Sequence, residues 1–260
     1  MEIKFGPSGL GPVKTAIETL EKYKKLGLEA CEITFTYGAY IKDESVAREI
    51  GEVAQKLGIS LSIHAPYFVN LNSAEEEKIE ASKDRILRCL EIGTWLKATH
   101  VVFHAGFYGK IDRKDAYENI KNQILDLEKT RKDMNYTPKI APEIMGKINV
   151  FGSLDEISKL VKETGCSFCV DFAHMLAREK DYKFKETFES FKEEEHFHIH
   201  FSGIEHGEKG EKRHLPTNEE DIRNLLKNLP KEKSFTIINE SPIQVKDSIL
   251  SKKIKEDLGF

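Results

Sequence analysis

SLSIHAP (60–66), THVVFHAG (99–106), KIAPEI (139–144), SFCVDFAH (167–174), HFHIHFSG (196–203) and SFTIINE (234–240) share one design: a short apolar run closing on a histidine or a carboxylate. Their β-branched and aromatic residues, with little polar alternation, suit strands buried on both faces of a parallel sheet. Longer segments lie between them, with apolar residues recurring at three and four positions, the spacing of a helix with one buried face. Working outward, Ile3–Phe5 reads as a first strand entering GPSGLGP, and CEITF (31–35) as a second. The helices are expected over Val13–Leu26, Glu44–Leu57, Ser73–Lys97, Lys114–Met134, Leu154–Glu163, Phe184–Phe191, Glu219–Asn228 and Gln244–Lys255. Gly27 and Gly58 stop the first two, and Ser73 with Glu76 has the form of a capping box. Eight strands alternating with helices predict an α/β (β/α)8 TIM barrel. An open doubly wound sheet would carry a G-x-G-x-x-G turn after its first strand, which GPSGLGP is not.

The 260 residues suit one such barrel, so a single domain over 1–260 is expected. Apolar residues are 39% and charged residues 32%, enough for a large core and too apolar for disorder. The N-terminus lacks a basic segment followed by an apolar run, and no stretch approaches a membrane span, so a cytoplasmic protein is expected. Cys31, Cys89, Cys166 and Cys169 are too few and irregular for a disulfide framework, and CSFC reads as a buried pair rather than a redox site. A net charge of −4 gives no bulk attraction for nucleic acid, so such binding would need a local basic face. EEEK near Glu75 and KEEE near Glu193 read as solvated faces.

The polar residues that close the strands are His64, His104, Glu143, Asp171, His200 and Glu240. Barrel active sites lie at that end. An unpaired polar group there costs a few kcal/mol, on the order of a lost hydrogen bond or more, and a shared metal ion removes the penalty. Imidazole with carboxylate suits zinc first, with manganese, iron or cobalt as alternatives, and these ligands exceed what one tetrahedral ion takes. A bridged cluster is therefore expected. Asp171 and His174, where strand gives way to turn, can face one cavity, and His214 lies on a loop after the seventh strand. His100 falls at the far end of its strand, His196 and His206 read as solvent or loop residues, and His198 alternates in phase with His200.

At these residues the chain resembles the endonuclease IV family of apurinic/apyrimidinic endonucleases, among the xylose-isomerase-like barrels. SIHAPYFVNLNS, VVFHAGFYG, APEIMGK, CVDFAHMLA, HIHFSGI, GEKRHL and IINESP carry the resemblance, in the family's order and over essentially the whole chain. It implies one zinc on His64, His104 and Glu143, and a second on Glu143, Asp171, His200 and Glu240, with Glu143 bridging. It implies a third on His174, His214 and an aspartate two residues before His214, where this chain has Lys212. Two zinc ions are therefore expected. At the third position either Glu211 substitutes, or Lys212 itself supplies positive charge to a phosphate. The resemblance also makes Tyr67 a side chain inserted into damaged duplex DNA, with Phe68 beside it.

The activity implied is metal-assisted hydrolysis of the phosphodiester 5′ of an abasic site, by a monomer acting on damaged double-stranded DNA without membrane contact. Glu143 and Glu240 are its catalytic carboxylates, with Tyr67, Phe68, Lys212 and Arg213 binding substrate. Lys110, Arg113, Lys180, Lys183 and Lys209 are expected at the same barrel end as phosphate contacts. The competing class is a metal-dependent sugar isomerase or epimerase, with Glu143 and Glu240 as the facing pair. A module that keeps the cluster without strong activity is the third.

Overall fold

A computed structural model describes all residues, Met1–Phe260. In chain order the elements are β1 (Ile3–Pro7), α1 (Ala16–Lys25), β2 (Ala30–Thr34), α2 (Glu44–Leu57), β3 (Ser60–His64), α3 (Glu76–Trp95), β4 (His100–Phe103), α4 (Arg113–Asp133), β5 (Lys139–Pro142) and α5 (Leu154–Thr164). They continue as β6 (Cys169–Asp171), α6 (Phe172–Glu179), α7 (Phe184–Ser190), β7 (His196–Phe201), β8 (Gly203–Gly207), β9 (Gly210–Leu215), α8 (Glu219–Asn228), β10 (Ser234–Asn239) and α9 (Gln244–Asp257).

Parallel pairing runs β2-β3-β4-β5 on one side and β1-β10-β7-β6 on the other. Two short parallel bridges, Ser8 to Glu32 and Glu143 to Cys169, join these halves into an eight-stranded barrel. The first seam is tight because Gly6 has no side chain: a Cβ there would lie 1.8 Å from the Ala30 carbonyl oxygen. Phe35, Phe103, Phe151, Phe168, Phe172 and Phe197 are fully buried in the core. No helix is long and apolar enough to cross a membrane.

The register brings the strand ends to one level. Thr34 pairs with His64, His64 with Val102, Phe103 with Pro142, Asp171 with His200 and His200 with Ile238. A residue next to any of these pairs therefore opens onto the same end of the barrel.

Three local expectations need correction. The box expected at Ser73 does not form: α3 begins at Glu76, and the Ser73 hydroxyl accepts only from Glu75 N. A complete capping box occurs instead at Ser153 and Glu156 on α5. VDFAHM is not strand running into an open turn, because Asp171 caps α6 by accepting from His174 N at 2.8 Å. Finally, His214 lies on β9 of an antiparallel hairpin rather than on a loop. Glycines at both ends of the hairpin's first strand and a charged outer face mask that pairing in the sequence.

Candidate metal centre

Glu143, the residue after β5, is the centre of the constellation and fully buried. Its Oε2 lies 3.2 Å from His64 Nε2 and 3.1 Å from His104 Nε2. Its Oε1 lies 3.2 Å from His174 Nδ1 and 3.4 Å from His200 Nδ1, and Glu240 Oε2 is 3.6 Å from that same His200 nitrogen. Ligand atoms within 4.8 Å of one another form four sets: His64, His104 and Glu143; Glu143, Asp171, His200 and Glu240; Asp171, His174 and His214; and, beneath these and sharing His200, Cys169, His198 and His200. Glu143 Oε1, Asp171 Oδ2 and His200 Nδ1 are buried without a hydrogen-bond partner. Buried polar atoms are nearly always satisfied. Several orphans converging on one point fit a divalent cation, and the donor set of imidazole and carboxylate suits one.

The imidazoles are pinned by their outer nitrogens. His64 Nδ1 donates to Ala65 O at 2.8 Å, and His174 Nδ1 to Ile144 O at 3.0 Å. Ser202 Oγ donates to Gly203 O, so it accepts from His214 Nδ1 at 2.6 Å. Each contact assigns a proton to Nδ1 and turns Nε2 toward the carboxylates as the nitrogen a cation would take, the usual device for orienting a ligating histidine. His200 is turned the other way, with Nε2 2.9 Å from Glu32 Oε1.

Glu32, on β2, is a site residue that sequence reasoning missed. It is fully buried, its Oε2 lies 2.9 Å from His198 Nε2, and Ser62 Oγ donates to it at 2.8 Å. The available signal was a lone carboxylate inside the apolar run CEITF. His198 reaches this carboxylate rather than the metal-facing layer.

Electrostatics follow from the crowding. Burial pushes Asp171 up to about 6, against the opposing pull of His174 and His214. Burial would also raise Glu143, but His104, His174 and His200 hold it well below the usual carboxylate range. Burial would lower His64, but Glu143 lifts it to about 9. Protons here occupy lone pairs that a cation would take.

Above these atoms opens a cavity of about 340 Å³, lined among others by Tyr67, Phe107, Lys147, Glu211, His214 and Glu240. Tyr67 is 50% exposed, with its ring 5.6 Å from His64 and 5.5 Å from His104. Phe68 is 60% exposed and packs 6.4 Å from Tyr37 at the rim. Lys212 and Arg213, expected to bind substrate, stand outside this cavity and pair with Glu205 at 3.5 Å and 2.7 Å.

A break in strand register explains this. Glu205 pairs with Arg213 but His206 pairs with Glu211, so Lys212 is an extra residue bulged out of β9. The bulge puts Glu211 back in phase with His214, on the inner face. Glu211 Oε2 lies 3.4 Å from His174 Nε2. The inward cation is Lys147, from the loop after β5, which the sequence does not single out. Of the other cations expected at this end, Arg113, at the start of α4, bonds Ile148 O, Lys180 bonds Gly207 O, and Lys183 lies 3.8 Å from Asp181.

Comparison with known proteins adds the following. A profile of the xylose isomerase-like TIM barrel family matches residues 20–256. An uncharacterized protein of Methanocaldococcus jannaschii is 36% identical over 98% of this chain and 97% of its own. A probable endonuclease 4 of Sulfurihydrogenibium is 28% identical over 52% of this chain, and the match covers 49% of that protein. Among solved structures, endonuclease IV from Thermus thermophilus superposes with a TM-score of 0.71 at 19% identity, covering 99% of this chain and 98% of that one. The 3-keto-D-glucoside 4-epimerase of E. coli superposes with 0.72 at 14% identity, covering 99% of both chains. At such identities these structures share the fold and nothing finer.

Proposed function

We propose that this chain, which belongs to the xylose isomerase-like TIM barrel family, is a metal-dependent phosphodiesterase that cuts DNA 5′ of abasic sites. The observation behind this reading is the set Asp171, His174 and His214, extended by Glu211, beside two other ligand sets in one open cavity. Holding vicinal hydroxyls while a carboxylate moves a proton calls for one ion and leaves the His174 and His214 pair without a role. Cleaving a phosphodiester benefits from several, because charge develops on both attacking and leaving oxygens.

Zinc is the ion proposed, from the balance of nitrogen and oxygen donors. His64, His104 and Glu143 would hold one ion and Glu143, Asp171, His200 and Glu240 a second, with His174, His214 and Glu211 offering a third position. Bound divalent ions supply Lewis acidity toward phosphate oxygens and lower the pKa of water. The chain's own residues do the rest. Glu240, 17% exposed on its side chain, faces the cavity and can accept a proton and orient the attacking water. Lys147 supplies the charge for a non-bridging phosphate oxygen, the part first assigned to Lys212 and Arg213. Tyr67 and Phe68 present aromatic faces on which unstacked bases can rest.

Two outcomes follow. Lys147→Ala should raise KM for an abasic duplex about tenfold and reduce the slope of log affinity against log salt by about one, the mark of one lost phosphate contact. Tyr67→Ala should weaken duplex binding by about 10- to 100-fold, matching a stacking contribution of roughly 1–3 kcal/mol, while metal content stays unchanged. Both are read by filter or fluorescence binding and by single-turnover incision.

The second reading, a sugar epimerase, draws on Glu143 and Glu240 facing each other across His200. The test between the two offers the protein an abasic-analogue duplex and a ketose in parallel, with and without chelator.

A further inference from the structure

We propose that Glu32 is a positioning residue for the metal centre: its carboxylate fixes the ring orientation and tautomer of His200 from beneath and supplies the negative charge that the ligand carboxylates lack. This inference rests on the metal reading above and is independent of the substrate.

The geometry is specific. His200 spans two layers of the barrel interior, its Nδ1 facing Glu143 and Glu240 and its Nε2 facing Glu32 Oε1 at 2.9 Å. The approach is an ion-pair contact rather than an aligned hydrogen bond, since Glu32 Oε1 and His200 Nε2 are both buried without a hydrogen-bond partner, but the negative charge beside Nε2 favours the proton there and leaves the Nδ1 lone pair toward the cluster. The other oxygen of Glu32 is held at 2.9 Å by His198 Nε2 and at 2.8 Å by the Ser62 hydroxyl. Glu32, His198 and His200 are each 0–1% exposed, so water cannot replace any of these contacts. The Nδ1 atoms of His64, His174 and His214 each meet a carbonyl or hydroxyl oxygen, whereas the outer nitrogen of His200, turned away from the ligand carboxylates, meets Glu32.

Two observations separate this from a merely structural ion pair. A leucine at position 32 would fill a barrel interior with no charge to desolvate, so packing does not call for a carboxylate there. Moreover, Glu143, Asp171 and Glu240 leave one positive charge over when two dications bind; Glu211 adds a carboxylate at the third position, and Glu32 adds one in the dry layer directly behind His200. Charge balance matters most where water is excluded.

The test is Glu32→Gln, which keeps shape and removes charge. The amide oxygen can still face His200 Nε2, and the amide nitrogen can donate to His198 Nε2 once that proton moves to Nδ1; removing the buried charge offsets the N–H left without a partner there. Zinc content after dialysis and zinc affinity by competition titration are measured for the full-length protein. We expect one ion per chain to weaken by about 10- to 100-fold, the range for losing an outer-sphere partner of a ligating histidine. The ion on His64 and His104 should stay, and the chelated variant should melt no lower than chelated wild type.

Ser62→Ala removes a hydrogen bond to the same carboxylate but keeps its charge and its contact with His200, so its zinc affinity should stay within about threefold of wild type. In zinc-loaded wild type, ¹⁵N-histidine NMR should show His200 protonated on Nε2. Equal zinc affinity in Glu32→Gln and wild type overturns the proposal, as does an equal loss in Ser62→Ala. A wild-type protein that takes up no ion overturns the metal reading and this inference with it.

Discussion

Glu143→Gln should leave a folded barrel that has lost its bridged ions and at least about a thousandfold in single-turnover cleavage, equivalent to roughly 4 kcal/mol of barrier. No other side chain touches as much of the site. Its two oxygens face His64, His104, His174 and His200 within 3.4 Å, and it belongs to two of the ligand sets. Glutamine fills the same volume but can offer only one oxygen, so bridging is lost while packing is kept. Elemental analysis should show fewer ions per chain, and circular dichroism an unchanged barrel. A variant that keeps full metal content and activity would remove Glu143 from the centre of the account.

The second large effect is on stability, and its sign changes with the ion. Without metal, Asp171 is pushed up to about 6 from an unfolded value of roughly 3.9, so between those pH values the folded chain binds more protons than the unfolded one. Stability from this group is therefore lost as pH rises through about 6. His64, lifted to about 9 from an ordinary value of roughly 6.5, continues the same trend, because its contribution is full below 6.5 and gone above 9. With zinc the slope reverses, since deprotonated ligands bind the ion more tightly. Free zinc at a hundred times Kd adds about 2.7 kcal/mol, or roughly 5–10 °C in Tm for a chain of this size. Scanning calorimetry with zinc or chelator should show two melting curves that diverge from pH 5 to pH 8. Parallel curves would contradict the assignment of these groups to cation sites.

Much of this was legible in the sequence for a simple reason. A parallel barrel strand is buried on both faces, so it reads as an unbroken apolar run, and a His or Glu at its end stands out. The ring from His64 to Glu240 could be named that way. What escaped depends on pairing between distant strands. Glu211 joins the cavity through a one-residue bulge at Lys212, and bulges leave no periodic signal. Glu32 sits inside CEITF, where its neighbours announce a buried strand but not which strand opposes it. Asp171 doubles as strand end and helix cap, so α6 begins where the sequence suggests only a turn. Lys147 and Lys212 are chemically alike, and only the fold places one inward and the other toward Glu205.

On this reading, ions held by His64, His104, Glu143, Asp171, His200 and Glu240 act on a phosphodiester. This is tested most directly with a duplex carrying one abasic analogue, incubated with zinc-loaded protein and resolved at single-nucleotide length. A single cut is expected on the 5′ side of the lesion, abolished by chelator, restored by zinc and absent in Glu143→Gln. An intact duplex under those conditions, together with chelator-sensitive epimerisation of a ketose by the same preparation, would contradict it.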